Sequence, residues 1–260
     1  MGVLNLTPDS FSDGGLFTNK DNALNHVQQM INDGADVIDV GGESTRPGAG
    51  EVTVDEECSR VIPLINAIRE ISDIPISIDT SKTDVMQQAI SSGASMINDV
   101  NALRAEGAVE LVAKLNIPVC IMHMQGQPRT MQHTPSYESV VQEVKEFLKQ
   151  RIDSCLKAGI KRENIIVDPG FGFGKTLEHN LTLFKHLPEF KTLNVPLLVG
   201  VSRKSMIGAV LNDAPADERL HGSVALATLA AWMNADILRV HDVKETSDAL
   251  KLCMAVKNTK

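Results

Sequence analysis

The 260-residue chain is 43% hydrophobic and 22% charged, which suits a single α/β barrel with a large core. Its net charge of −8, without any run of lysine and arginine, argues against a nucleic-acid partner; an anionic ligand would have to be met by a few local cations. No apolar stretch of about 18 residues occurs, and the N-terminus has neither a basic region nor a long apolar run, so neither a membrane span nor a signal peptide is expected.

Short apolar runs alternate with amphipathic stretches throughout, and no Gly/Ser-rich or Pro-rich linker interrupts them. This predicts one domain, residues 1–260, with a parallel sheet. The predicted strands are Gly2–Leu6, Asp36–Val40, Ile76–Asp79, Ser95–Asp99, Val119–Met122, Ile165–Asp168, Leu197–Gly200 and Asp236–Val240. Helices are predicted over Asp21–Asp33, Asp55–Ile71, Asp84–Ser92, Glu106–Lys114, Tyr137–Ala158, Leu177–Leu187, Glu218–Met233 and Lys244–Lys257. Gly34, Gly93, Gly159 and Asn234 each follow a helix and precede a strand, where a left-handed residue commonly ends the helix. Eight β-then-α units predict a closed (β/α)8 TIM barrel. A doubly wound open sheet would be expected to carry a nucleotide loop after its first strand, and none is here.

Cys58, Cys120, Cys155 and Cys253 are scattered without a CxxC pair, which speaks against a disulfide framework or a zinc site. They read as reduced thiols of a cytoplasmic protein, with Cys120 in the core.

In such a barrel the active site lies at the C-terminal ends of the strands. Those ends carry Asn5, Asp39 with the loop Gly41–Pro47, Asp79, Asn98-Asp99, His123, Asp168, Ser202-Arg203-Lys204-Ser205, and Arg239 with His241. One polar strand end is unremarkable, but eight converging on one mouth call for a polar ligand, because each buried unpaired group costs roughly 1–3 kcal/mol. Asp79, Asn98, Asp168 and Lys204 can match a flat heterocycle rich in donors and acceptors. Asn5, Arg46, Arg203, Arg239 and His241 offer neutral or cationic donors suited to a phosphate or pyrophosphate. Two long glycine-containing loops, Thr7–Gly15 and Gly41–Gly50, stand beside the mouth as candidate lids.

The stretch Asp168–Thr176 is not a P-loop, since Pro169 stands where the first glycine is needed; it reads as a close-approach loop beside Asp168. No HExxH or GxSxG motif occurs. His26, His133, His179, His186 and His221 read as surface or capping residues. Phe11 and Phe173 could stack on a ring or pack in the core.

Asn5–Gly15, Gly34–Pro47, Asp79, Asn98, Met122–Gly126, Asp168–Gly174, Gly200–Met206 and Arg239–Asp242 together resemble the dihydropteroate synthase family in its bacterial form. The resemblance covers nearly the whole chain and implies the same barrel. It implies an enzyme that condenses a dihydropterin-methyl diphosphate with 4-aminobenzoate in folate biosynthesis, as a cytoplasmic homodimer using Mg²⁺. It implies that Asp79, Asn98, Asp168 and Lys204 hold the pterin, with Met122 and Phe173 flanking its ring and Gly200 in the same site. Asn5, Thr45, Arg239 and His241 would engage the pyrophosphate, Asn5 beside the metal with Asp13 as a further candidate. Phe11, Pro47 and Ser205 would border 4-aminobenzoate, with Arg46 in the same loop. Asn5, Asp79, Asp168, Lys204, Arg239 and His241 are the expected catalytic group. The resemblance also implies an N-terminal capping segment ahead of the strand at Gly2; here it is expected to be short or missing, leaving apolar side chains exposed on the barrel floor. A methyltransferase using methyltetrahydrofolate on the same barrel would share the Asp/Asn pterin contacts but have no use for the pyrophosphate set. A non-catalytic pterin-binding subunit is the other alternative.

Overall fold

In the computed structural model, which describes residues 1–6, 16–44, 50–127, 130–132 and 134–259 (backbone alone for 16–19), every predicted strand forms. The elements run β1 (Gly2–Asn5), α1 (Leu16–Asn32), β2 (Ile38–Gly41), α2 (Val54–Ile71), β3 (Ile76–Asp79) and α3 (Thr83–Ser91). They continue with β4 (Met96–Asp99), α4 (Ala108–Leu115), β5 (Val119–Met122), α5 (Val140–Lys157), β6 (Ile165–Asp168) and α6 (Leu177–Lys185). The last are β7 (Leu198–Val199), α7 (Ser205–Val210), α8 (Leu220–Trp232), β8 (Ile237–Leu238) and α9 (Val243–Lys257).

Strands β1 to β6 pair in parallel in chain order, and β7 pairs with β8. Single bridges, Val167 to Leu197 and Gly2 to Val240, join the two sheets into a ring. Backbone bonds from Val167 N to Pro196 O and from Val3 N to Val240 O, both 3.0 Å, reinforce these joints. This is the expected (β/α)8 barrel.

The strands read as nearly continuous apolar runs because both faces are covered. Outward residues such as Ile38, Val40, Ile78, Ile97, Ile121 and Val167 pack under the helices. Inward residues Met96, Cys120, Ile166 and Leu198 form a second buried cluster, against which Met1 and Ile237 pack. Met96, Cys120, Ile166 and Leu198 are buried, while Met1 and Ile237 at the same end of the barrel are half-exposed.

Helix ends follow local chemistry. Thr53 and Glu56 form a reciprocal capping box at the start of α2, with Asp55, Glu56 and Glu57 in its first turn. Gly34, Gly93, Gly159 and Asn234 all take positive φ, as expected. The differences lie elsewhere. Helix α1 starts at Leu16, upstream of Asp21. Helix α5 starts at Val140, so Tyr137 lies outside it and donates its hydroxyl to Gly174 O at 2.8 Å. Helix α7 was not expected; its six residues are too few to show a period.

Candidate active site

The inward positions at the tops of the strands form one polar layer. The register aligns Asn5 with Gly41, Gly41 with Asp79, and Asp79 with Asn98. Further round, Met122 stands level with Asp168. Gly41 has no side chain, and its neighbours use the space: a Cβ there would lie 3.4 Å from Asn5 Oδ1 and 3.5 Å from Asp79 Cβ.

Arg239 enters this layer from the end of β8. Its Nη2 donates to Asp79 Oδ2 at 2.7 Å and its Nε to Asp39 Oδ2 at 2.6 Å. Two carboxylates thus share one guanidinium. Burial pushes the Asp79 carboxyl up to about 7, against the pull of Arg239 and with help from Asp39, Asp99 and Glu57. Gly200 lies beside them, 3.7 Å in Cβ terms from Arg239 and 3.8 Å from Asp168 Oδ2.

Asp168 is buried, and its Oδ1 accepts from Gly170 N at 2.7 Å. Burial raises its pKa, while Lys204 and that backbone N–H oppose the rise. Lys204, at the start of α7, has its ammonium 4.7 Å from the centre of the Phe173 ring and donates to Phe171 O. Burial lowers it to about 8, with Asp168 and Asp79 resisting. Val100, Met122, Met124 and Met131 form an apolar wall, and Phe173 packs against it. The site therefore combines a floor of fixed charges with a soft apolar side, suited to a flat polar ring.

The 169–176 stretch is the close-approach loop that was expected. At Gly170 (φ +71°) a Cβ would fall 1.8 Å from His123 O, and at Gly174 (φ +62°) 2.3 Å from Gln125 O. Lys175 turns inward beneath this loop. Its buried ammonium donates to Gly170 O at 2.8 Å and Phe173 O at 3.0 Å, and meets His123 Nδ1 at 3.0 Å. Burial beside Lys175 pushes the His123 imidazole down to about 2, so this strand-end histidine stays neutral and braces the loop. Asp99 is likewise a brace, accepting from Asn101 N and Leu103 N at 2.7 and 2.6 Å.

On the rim, His241 Nδ1 lies 3.1 Å from Ser202 Oγ. Ser205 is exposed at the head of α7. Arg203 has a structural partner that the sequence did not reveal. Its guanidinium pairs with Asp242, with Nε 3.1 Å from Oδ2 and Nη2 on Oδ1, which clamps the β7 end to the β8 end. Phe11, Asp13, Thr45, Arg46 and Pro47 lie outside the described residues. Asp39, absent from the expected site set, reaches the same layer through Arg239 and Asn98. His179 and Thr176 form a reciprocal cap on α6, and His186 pairs with Glu189 at 2.8 Å, matching the surface and capping reading. All four cysteines are buried free thiols. No helix among the described residues is long and apolar enough to cross a membrane.

A shallow groove of about 590 Å³ lies away from this mouth, between the β4–α4 loop and α5 near Arg104 and Arg151. It contains none of the strand-end polar residues.

Comparison with known proteins agrees with this geometry. The model of the pterin binding enzyme family matches residues 1–241. The chain is 55% identical to dihydropteroate synthase of Haemophilus influenzae, covering 99% of this chain and 94% of that one. It is 52% identical to the Escherichia coli K12 enzyme of the same name, covering 100% and 92%. Among solved structures, the Yersinia pestis dihydropteroate synthase in complex with a sulfonamide drug superposes with a TM-score of 0.94 at 50% identity, covering 99% and 94%. The Xanthomonas albilineans dihydropteroate synthase with 7,8-dihydropteroate gives 0.91 at 44% identity, covering 100% and 93%. With a polar barrel mouth and similarity over its full length, the chain belongs to the dihydropteroate synthase family of pterin-binding enzymes.

Proposed function

We propose that this chain condenses (7,8-dihydropterin-6-yl)methyl diphosphate with 4-aminobenzoate, giving 7,8-dihydropteroate and diphosphate in folate biosynthesis. The observation that carries the reading is the layer of Asp79, Asn98, Asp168, Lys204 and Arg239 facing the Met122–Phe173 wall. Carboxylates at Asp79 and Asp168 accept from ring N–H and exocyclic amine groups, and Lys204 donates to the ring carbonyl. Met122 and Phe173 flank the ring, above Gly200.

The reaction breaks the bond between the pterin methylene and the diphosphate oxygen. The electron-rich ring can carry the resulting positive charge, which the nearby carboxylates favour. The arylamine nitrogen then bonds to the methylene and sheds a proton, which the departing diphosphate can accept. Arg239 is held by Asp39 and Asp79, and its remaining N–H groups, with Asn5, Thr45 and His241, meet the charge that grows on the diphosphate. The family resemblance assigns Phe11, Pro47, Ser205 and Arg46 to the border of the arylamine, where water must be kept out because it would trap the cation.

The described residues contain no group of three histidine, cysteine or carboxylate side chains able to hold a metal. The amide oxygen of Asn5, beside Asp79, fits a hard ion that arrives on the substrate diphosphate and keeps most of its water, as Mg²⁺ does. Asn5 would hold it, with Asp13 as a second oxygen donor, and the bound ion would supply charge neutralisation.

Two further features belong to this reading. Helix α8 is mostly apolar with no distinct polar face, and with Leu229 and Trp232 exposed it offers a face for a second copy, making the enzyme a homodimer. The buried free thiols suit a cytoplasmic enzyme.

The test is to mix the protein with Mg²⁺ and both substrates and follow diphosphate and dihydropteroate together. Matched appearance of the two products is expected; pterin binding without turnover would sink the catalytic reading. Asp168→Ala should lower kcat/KM by roughly 10- to 150-fold or more, the cost of losing a charged acceptor. Unchanged activity would remove Asp168 from the site.

A further inference from the structure

Asp39 lies on β2 just below the mouth, fully buried. Its Oδ2 accepts two hydrogen bonds, from Arg239 Nε at 2.6 Å and from Asn98 Nδ2 at 3.3 Å. Its Oδ1 is buried with no hydrogen-bond partner among the described residues, and Ser77 Oγ, level with it on β3, is in the same condition. Burying a carboxylate this incompletely paired is costly, and a well-packed apolar residue would avoid the cost. Asp39 and Asp79 both serve Arg239 as counter-charges, Asp79 at 2.7 Å.

Beyond charge, Asp39 supplies direction. An amide has a donor end and an acceptor end, and nothing in its shape says which faces a ligand. A carboxylate can only accept, so the Asn98 nitrogen must turn down to Asp39, and the Asn98 oxygen is left for the ligand. The same oxygen holds Nε of Arg239, and Asp79 holds Nη2, which sets the plane of the guanidinium.

We propose that Asp39 is a positioning residue of the pterin site: it fixes the sense of the Asn98 amide and the plane of Arg239, making the Asn98 edge an acceptor for ring N–H groups. This rests on the pterin reading above. Substrate never touches Asp39, and its effect on selectivity passes through Asn98 and Arg239.

Asp39→Asn keeps the shape but lets residue 39 present a donor or an acceptor, so Asn98 can turn over. Calorimetry with a 6-hydroxymethyl-7,8-dihydropterin probe, which lacks the diphosphate, tests the ring contacts alone. The parent protein should bind the probe, and Asp39→Asn should bind it at least about tenfold more weakly. The pterin-substrate KM should rise while the 4-aminobenzoate KM stays within about twofold. In an Asn98→Ala background, Asp39→Asn should cost at least about threefold less than in the parent. Full additivity, or equal losses for both substrates, would overturn the proposal. If the parent itself fails to bind the probe, the pterin reading falls first, which keeps the two failures apart. Should Asp39→Asn not fold, the Asn98 side-chain amide of ligand-free parent protein decides, observed by NMR after ¹⁵N-asparagine labelling. One shifted Nδ2 proton protected from exchange is expected; two rapidly exchanging protons would overturn the assignment.

Discussion

At the scale of residues, the site is governed by burial opposing charge. Asp79 is pushed up to about 7 and Lys204 down to about 8, in each case chiefly by burial. The ring needs Asp79 as a carboxylate acceptor and Lys204 as an ammonium donor. Protonation of Asp79 as pH falls through about 7 removes the acceptor, and loss of the Lys204 proton as pH rises through about 8 removes the donor. Pterin affinity should therefore peak between about 7 and 8 and fall on both sides, by at most about tenfold per pH unit for each group. Calorimetric titrations of the dihydropterin alcohol from acid to alkaline pH check this, and a flat profile would remove both groups from the ring. Residue identity at the strand ends was legible because polar residues stood at all eight ends, where a barrel gathers them into one mouth. Their partners were not. Arg203 read as a cation beside the mouth, and nothing local showed that it pairs with Asp242, 39 positions away. Asp39 was legible as a strand-end acid, yet nothing local revealed that it meets Arg239, 200 positions on.

Elements show a second division, between glycines that the backbone requires and glycines that leave room for ligand. Gly170 combines a left-handed φ with a Cβ position 1.8 Å from His123 O. Gly170→Ala should destabilise the protein by about 2–5 kcal/mol, from left-handed strain plus the clash, and should also lose pterin binding as the Phe173 loop shifts. At Gly200 the nearest atoms to an added Cβ are at 3.7–3.8 Å, ordinary contact, with no left-handed φ. Gly200→Ala should keep its stability within about 1 kcal/mol and still weaken pterin binding by filling the pocket. Thermal melts paired with binding measurements separate the two, and equal stability losses would contradict the distinction. The sequence pattern located every strand because each is a short apolar run bounded by turn residues. It missed α7, whose six residues follow directly on Lys204, and it ran α5 back to Tyr137, which in fact reaches across to Gly174. Short elements and element ends depend on tertiary contacts that periodicity does not carry.

For the whole molecule, the barrel was predictable from eight repeats of one unit, whereas its association was not. Helix α8 has no polar face, and Trp232 and Leu229 stay exposed after α8 has packed on α9 and the barrel. If this face joins two copies, Trp232→Glu should convert dimer to monomer in sedimentation velocity, with turnover per site changed by less than about tenfold because the strand-end residues lie on another part of the fold. A parent protein that sediments as a monomer at micromolar concentration would end the dimer reading.

The ring has an unequal circumference. Strands β1 to β6 are joined by runs of three or four paired residues, but β7 and β8 are two residues long, and single bridges fasten them to their neighbours. Lys204 and Arg239 follow those two short strands, while Asp168 and Asp79 stand on the long ones. A ligand gripped by all four spans the weak joints and acts as a clasp across them. Hydrogen exchange should find the amides of Val199 and Arg239 opening well before those of β2 to β5 in the free protein, and dihydropterin should slow them selectively. Substrate would then do more than occupy the barrel: it would finish closing it.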